Sequence, residues 1–166
     1  MPPTPEPSLP SSEQAHALMD RALEEAARAL EHGDVPVGAV VARLADGSVL
    51  AARHNERELA ADPTAHAEIL ALRDAAAARG SWRLDDCVLV VTLEPCAMCA
   101  GAAGAARVAG VMFGAPDPKA GALGSLYHLG ADPRLNHEFA VTPGVRAAQA
   151  AALLTRFFAE RRGAGP

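Results

Sequence analysis

An α/β fold is the class this 166-residue chain predicts, on three observations. Cys87-Val88-Leu89-Val90-Val91-Thr92 is an unbroken apolar run, as expected of a strand buried on both faces. A helical stretch follows Glu94-Pro95 and lasts to about Ala106, and a second buried strand, Gly110 to Gly114, comes after it. The order strand, helix, strand implies a parallel βαβ unit. The length suits one core, and 50% apolar with 21% charged residues excludes disorder or a fibrous repeat for the body of the chain.

The elements follow in order. Five of the first ten residues are proline, so residues 1–11 read as a disordered tail outside the fold, and the domain spans 12–162. From Ser12 to His32, Ala15, Leu18, Met19, Ala22, Ala26 and Leu30 recur at spacings of three and four, with Ser11 or Ser12 available as a cap: an amphipathic helix. Gly33-Asp34 ends it. Val35 to Val41 leads into a β-rich run that resumes after the Asp46-Gly47 turn as Ser48 to Ala52, a hairpin. Either Asp62, before a first-turn proline, or Thr64 caps a helix to about Gly80. Residues 115–136 form a Gly-, Pro- and Asp-rich loop without period, a length that is usually functional. A short strand near Glu138 to Thr142 precedes a terminal helix, Gly144 to Arg162, with Leu153, Leu154, Phe157 and Phe158 as its apolar face.

Charge and cysteine usage narrow the function. The tail lacks Lys, Arg and an apolar segment, so it does not read as a secretory signal, and no apolar stretch spans a bilayer; the expectation is a cytoplasmic protein with no membrane contact. Net charge is −5, yet residues 1–106 carry −8 and residues 107–166 carry +3, which directs an anionic ligand to the C-terminal part. Three cysteines, Cys87, Cys96 and Cys99, argue against a disulfide framework and for metal or redox chemistry.

Two motifs carry the chemistry. Cys96 and Cys99, three apart at a predicted helix start, share one face, and the positive end of the helix dipole favours their thiolates. His66 and Glu68 open another predicted helix; two apart, they point roughly 200° apart on a regular helix and converge only at the first turn. The pattern makes sense if two helix N-termini face one cavity, with a metal held by His66, Cys96 and Cys99 and Glu68 just outside its shell. Three protein ligands leave a fourth position for water, which distinguishes a catalytic zinc from a structural one. Cys87, within the buried strand, reads as core. H-x-E followed about 30 residues later by P-C-x-x-C is the zinc deaminase signature.

With His66-Ala67-Glu68, Thr92 to Gly101 and Phe113-Gly114-Ala115, the chain resembles the bacterial tRNA adenosine deaminases within the cytidine/deoxycytidylate deaminase superfamily. The likeness runs from about Ser12 to Arg162 and includes Val35 to Val40, Asp62 to Ala65, Asp117, Lys119 to Ala122, Gly124-Ser125 and Asn136-His137. The resemblance implies a three-layer α/β/α cytidine-deaminase-like fold with a central mixed five-stranded sheet. It implies a homodimer with one Zn2+ per subunit and no organic cofactor. The implied reaction is hydrolytic conversion of adenosine to inosine at wobble position 34 of a tRNA anticodon stem-loop. Glu68 is then the catalytic proton carrier. Asn55 meets the base, Asp117 and Lys119 hold the flanking nucleotide, and Phe158 and Arg161, beside Arg156 and Arg162, offer the anticodon loop a stacking face and cations. The sequence departs from the family at Gly104-Ala105-Ala106, Pro116, His54 and Arg156. The alternative is a free nucleobase or nucleoside deaminase (guanine, adenine or cytidine) on the same fold.

Overall fold

The computed structural model describes residues 8–165. Helix α1, Ser12–Ala29, begins on a capping box: Ser11 Oγ accepts from the Gln14 amide, and the Gln14 side chain accepts from the Ser11 amide. Its apolar stripe, Ala15, Leu18, Met19, Ala22, Ala26 and Ala29, is buried. A single 3-10 turn, Leu30–His32, carries the chain to Gly33, whose φ of 76° reverses its direction. Residues 1–7 of the proline-rich tail lie outside the described residues; of the rest, Leu9 packs against the apolar cluster beneath α1.

Five strands form one sheet in the order β2-β1-β3-β4-β5. β1 (Gly38–Arg43) pairs antiparallel with β2 (Val49–His54), with a register shift at Val41/Ala42, and antiparallel with β3 (Cys87–Leu93). β4 (Gly110–Ala115) lies parallel to β3, and β5 (Ala140–Thr142) parallel to β4. The expected mixed five-stranded sheet is therefore present, with the βαβ unit formed by β3, helix α3 (Ala97–Ala105) and β4.

Side-chain alternation along the strands separates two apolar layers. Val40, Ala42, Val88, Val90 and Met112 point toward α1, whereas Ala39, Val41, Leu89, Val91, Val111 and Phe113 point toward α3 and helix α2 (Ala67–Arg79). The terminal helix α4, Ala147–Gly163, shares the α1 side, where Ala150 lies over Gly114. The result is the α/β/α sandwich. Gly38 shows how closely the layers approach: a Cβ there would lie 1.9 Å from the Ala22 carbonyl oxygen and 2.5 Å from the Ala26 amide nitrogen of α1.

Three boundaries differ from expectation. Helix α2 starts at Ala67 with His66 as its cap, not at Asp62 or Thr64. Asp62 instead spends its carboxylate on a local turn, accepting from both the amide and the hydroxyl of Thr64 at 2.8 Å. β1 begins at Gly38, because Val35–Val37 turns tightly, with the Val37 amide on the Val35 carbonyl at 2.9 Å. α4 starts at Ala147 after Arg146, whose φ of 54° lies in the left-handed region, and of its four expected apolar residues Phe157 is buried, Leu153 and Leu154 are half-buried and Phe158 is exposed. The long loop after β4 is tied to the body by the Ala122 amide on the Pro95 carbonyl and by a bridge between Cys96 and Gly121. No helix among the described residues is long and apolar enough to cross a membrane.

Candidate active site

Two helix starts meet at the end of the sheet. His66 caps α2 and Cys96 caps α3; both have extended backbones (φ −72°, ψ 150° and φ −71°, ψ 175°) and neither side chain makes a capping hydrogen bond to its helix. That leaves the imidazole and the thiol free to point away from their helices toward each other. His66 Nδ1 lies 3.7 Å from Cys96 Sγ and 3.5 Å from Cys99 Sγ, and the three donor atoms all lie within 4.8 Å of one another, close enough for one metal ion to bind all three. Among the described residues no other group of three His, Cys, Asp or Glu side chains is placed this way.

The electrostatics of the group follow from its crowding. The Cys99 thiol donates to Cys96 and, with the His66 ring, holds the Cys96 thiol down at about 3. Sharing that proton with Cys96 while buried drives Cys99 strongly upward. The contact with Cys96 raises His66. Glu68, in the first turn of α2, is 4% exposed, and burial pushes its carboxyl above the usual range. This carboxyl and the two sulfurs compete for protons in one small space, the setting in which a cation is most strongly favoured.

The site opens into a cavity of about 150 Å³ lined by Val35, Val37, Asn55, Arg57, Glu68 and Leu93, with His66, Cys96 and Asp117 among the rest. Of the residues expected at the site, His66, Glu68, Cys96, Cys99, Asn55 and Asp117 are brought together; Lys119, Phe158 and Arg161 do not line the cavity. Asn55 is 7% exposed, and its amide is half engaged: Nδ2 donates to the Val35 carbonyl at 3.2 Å and Oδ1 accepts from the Arg57 amide at 3.1 Å. One donor and one acceptor position remain. Asp117 Oδ1 accepts from the amides of Lys119 and Ala120, which shapes the loop and leaves Lys119 exposed. Arg161 donates to the Gly33 carbonyl at 2.6 Å and lies 4.6 Å over the Phe157 ring.

Sequence reasoning missed Arg57 and Glu94. Arg57, two residues after Asn55, sets a cation at the cavity wall; only its neighbour marked it. Glu94 lies within Thr92-Leu93-Glu94-Pro95-Cys96, is 3% exposed, and accepts from Ser125 Oγ at 2.8 Å, so it pins the long loop over the site.

Comparison with known proteins agrees with this geometry. Residues 13–162 match a family described as MafB19-like deaminase. A tRNA-specific adenosine deaminase of Bacillus subtilis is 44% identical over 149 residues, covering 90% of this chain and 91% of that protein. A solved structure from work on A-to-I editing by tRNA:A34 deaminases at the wobble position superposes with a TM-score of 0.79 at 41% identity, over 83% of this chain and 99% of that one. The guanine deaminase of Nitrosomonas europaea superposes at 0.74 with 28% identity, over 96% and 98%. The chain belongs to the MafB19-like deaminase family, together with the bacterial tRNA-specific adenosine deaminases.

Proposed function

We propose that this deaminase, through its domain spanning 12–162, hydrolyses adenosine to inosine at wobble position 34 of a tRNA anticodon, using one Zn2+ held by His66, Cys96 and Cys99. The single observation that carries the reading is the three-donor group beside a buried carboxyl at the floor of a cavity sized for one base. The donor set fits zinc. Bonds of about 2.0 Å to nitrogen and 2.3 Å to sulfur at a tetrahedral angle separate the two atoms by about 3.5 Å, and the two separations here are 3.7 and 3.5 Å. When bound, zinc acts as a Lewis acid that brings the ionisation of a water close to neutral pH.

Within this frame the chain's own residues position base and protons. Glu68, buried and inclined to hold a proton, takes one from the attacking water, gives it to the adenine ring nitrogen and helps the amino group leave as ammonia; inosine and ammonia balance adenosine and water. The free donor and acceptor of Asn55 suit an adenine edge, and Val35, Val37 and Leu93 give the ring an apolar wall. A cavity of about 150 Å³ is below the roughly 300 Å³ at which drug-sized sites begin, which suits entry of a single base with the rest of the RNA outside. An anticodon loop, already single-stranded, turns out its wobble base at small cost. Asp117 and Lys119 at the rim take the flanking nucleotide, Arg57 supplies a cation beside it, and Phe158 and Arg161 on α4 meet the loop farther out.

The chain acts as a homodimer in this reading. The outer face of α3 presents Gly101, Gly104 and Ala105 to a groove also lined by Trp82 and Leu135, both exposed, which suits close approach of a second copy. With tRNA as substrate, the place of action is the cytoplasm. A free guanine deaminase is the second reading, favoured by the likeness to the Nitrosomonas enzyme.

Purified protein incubated with an anticodon stem-loop bearing wobble adenosine, and in parallel with adenosine, adenine, guanine and cytidine, decides between them. Inosine and ammonia from the stem-loop are expected; activity on free bases alone refutes the tRNA reading.

A further inference from the structure

Asp34 is a buried carboxylate with no part in the chemistry described above. It is 1% exposed and follows Gly33, between the end of α1 and the cavity-lining Val35. Its amide donates to the Ala29 carbonyl at 3.1 Å. Oδ1 accepts from the Glu58 amide at 2.8 Å, and Oδ2 accepts from the Leu59 amide at 3.1 Å and lies 2.8 Å from His32 Nδ1. A carboxylate only accepts, so His32 presents Nδ1–H to it. Burial alone would raise the Asp34 carboxyl, but the two amides and the His32 ring outweigh it and hold it below the usual range.

The two segments that Asp34 joins are the two halves of one cavity wall. Segment 33–37 supplies Val35 and Val37, and segment 55–59 supplies Asn55 and Arg57. Asn55 adds two ties between them, from Nδ2 to the Val35 carbonyl and from its amide to the Val37 carbonyl at 3.0 Å. Arg161 fastens α4 to the preceding residue through the Gly33 carbonyl. Glu58 and Leu59 are themselves exposed; backbone bonds such as the Ala60 amide on the Glu56 carbonyl and the Asp62 amide on the Arg57 carbonyl shape their turn, and the charge-assisted bonds to Asp34 tie it to segment 33–37.

We propose that Asp34 is a positioning residue for the substrate pocket: by clamping the Glu58 and Leu59 amides it fixes the turn after β2, and so the placement of Asn55 and Arg57 against Val35 and Val37. This rests on the tRNA deaminase reading for its kinetic test but not for its structural one. Asp34→Asn keeps an acceptor for Glu58 and loses the one for Leu59; Asp34→Ala loses both. In metal-loaded, folded protein assayed on the anticodon stem-loop, Asp34→Ala should raise KM about tenfold or more and Asp34→Asn by a smaller factor, with kcat changed by less than about threefold. Metal content should equal the parent's, because no zinc donor touches the clamp. Parent KM in both folded variants overturns the proposal, as does an equal loss in both. If neither variant folds, amide exchange in the unmodified protein decides: slow exchange at Glu58 and Leu59 is required, and exchange as fast as in an open turn overturns the clamp. Absence of stem-loop activity in the parent counts against the tRNA reading, while the exchange measurement speaks to the clamp alone.

Discussion

Replacing Gly38 by alanine tests the layer packing on which the site rests. The new methyl would meet the Ala22 carbonyl oxygen at 1.9 Å, the Ala26 nitrogen at 2.5 Å and the Ala22 carbonyl carbon at 3.0 Å. Contacts below 3.0 Å force a shift, so β1 and α1 must separate locally by about 1 Å, and all three obstructing atoms are backbone. No side chain can rotate out of the way. Overpacking costs about 1 to 3 kcal/mol, and the upper end applies where two regular elements must part. For a chain of this size, about 3 kcal/mol lowers Tm by roughly 6 to 12 °C. Thermal melts followed by circular dichroism measure it, with Ala22→Gly added as a second change. Because the clash is with main chain, that second change should restore nothing. A Tm within about 2 °C of the parent, or recovery in the double variant, would refute the reasoning.

Four further outcomes are expected. Glu68→Gln should keep its metal while deamination falls by about a hundredfold or more, read as ammonia release alongside metal analysis; parent rates with full metal would remove the proton-carrying role. Stripping metal with a chelator should abolish activity and lower Tm, and added Zn2+ should restore both, since a ligand bound only by the folded state stabilises it. Asp34 gives acid sensitivity a definite sign. Its folded carboxyl titrates below the unfolded value of about 3.9, so its contribution is complete above that pH and is lost as pH falls through the folded value. Asp34→Asn should therefore flatten the stability–pH curve below about pH 4, and an unchanged acid limb in urea melts would count against the carboxylate network. Gly101→Leu, on a face of α3 with nothing within 4 Å, should weaken the proposed dimer by sedimentation analysis without lowering the monomer's Tm; unchanged association, or a monomeric parent, would refute this face as the interface.

Much of this architecture was legible because burial writes itself into residue order. The run Cys87 to Thr92 is apolar throughout because β3 is covered on both faces, and Ala15, Leu18, Met19 and Ala22 repeat with helical spacing because only one side of α1 meets the sheet. The three-donor group His66, Cys96 and Cys99 was legible for a different reason: imidazole and thiol chemistry allow few substitutes at fixed spacing. What escaped had two causes. Capping preference favoured Asp62 or Thr64 over His66, but the same carboxylate that can cap a helix can close a turn two residues on, and Asp62 does so with Thr64. Arg57 gave no periodic signal because it sits in a turn, whose next residue bonds Asp34, two dozen residues earlier.

That His66 and Cys96 stand at the caps of their helices without a capping hydrogen bond has a cost in stability. Serine, aspartate or asparagine at either place would supply the missing acceptor and firm up the helix by about 1 kcal/mol, the ordinary gain from a good cap. Each such change would also remove a side chain from the three-donor group placed to hold a metal ion. Selection for thermal robustness and selection for turnover therefore pull these two positions in opposite directions, and a stability-guided redesign of this chain would begin by disarming it.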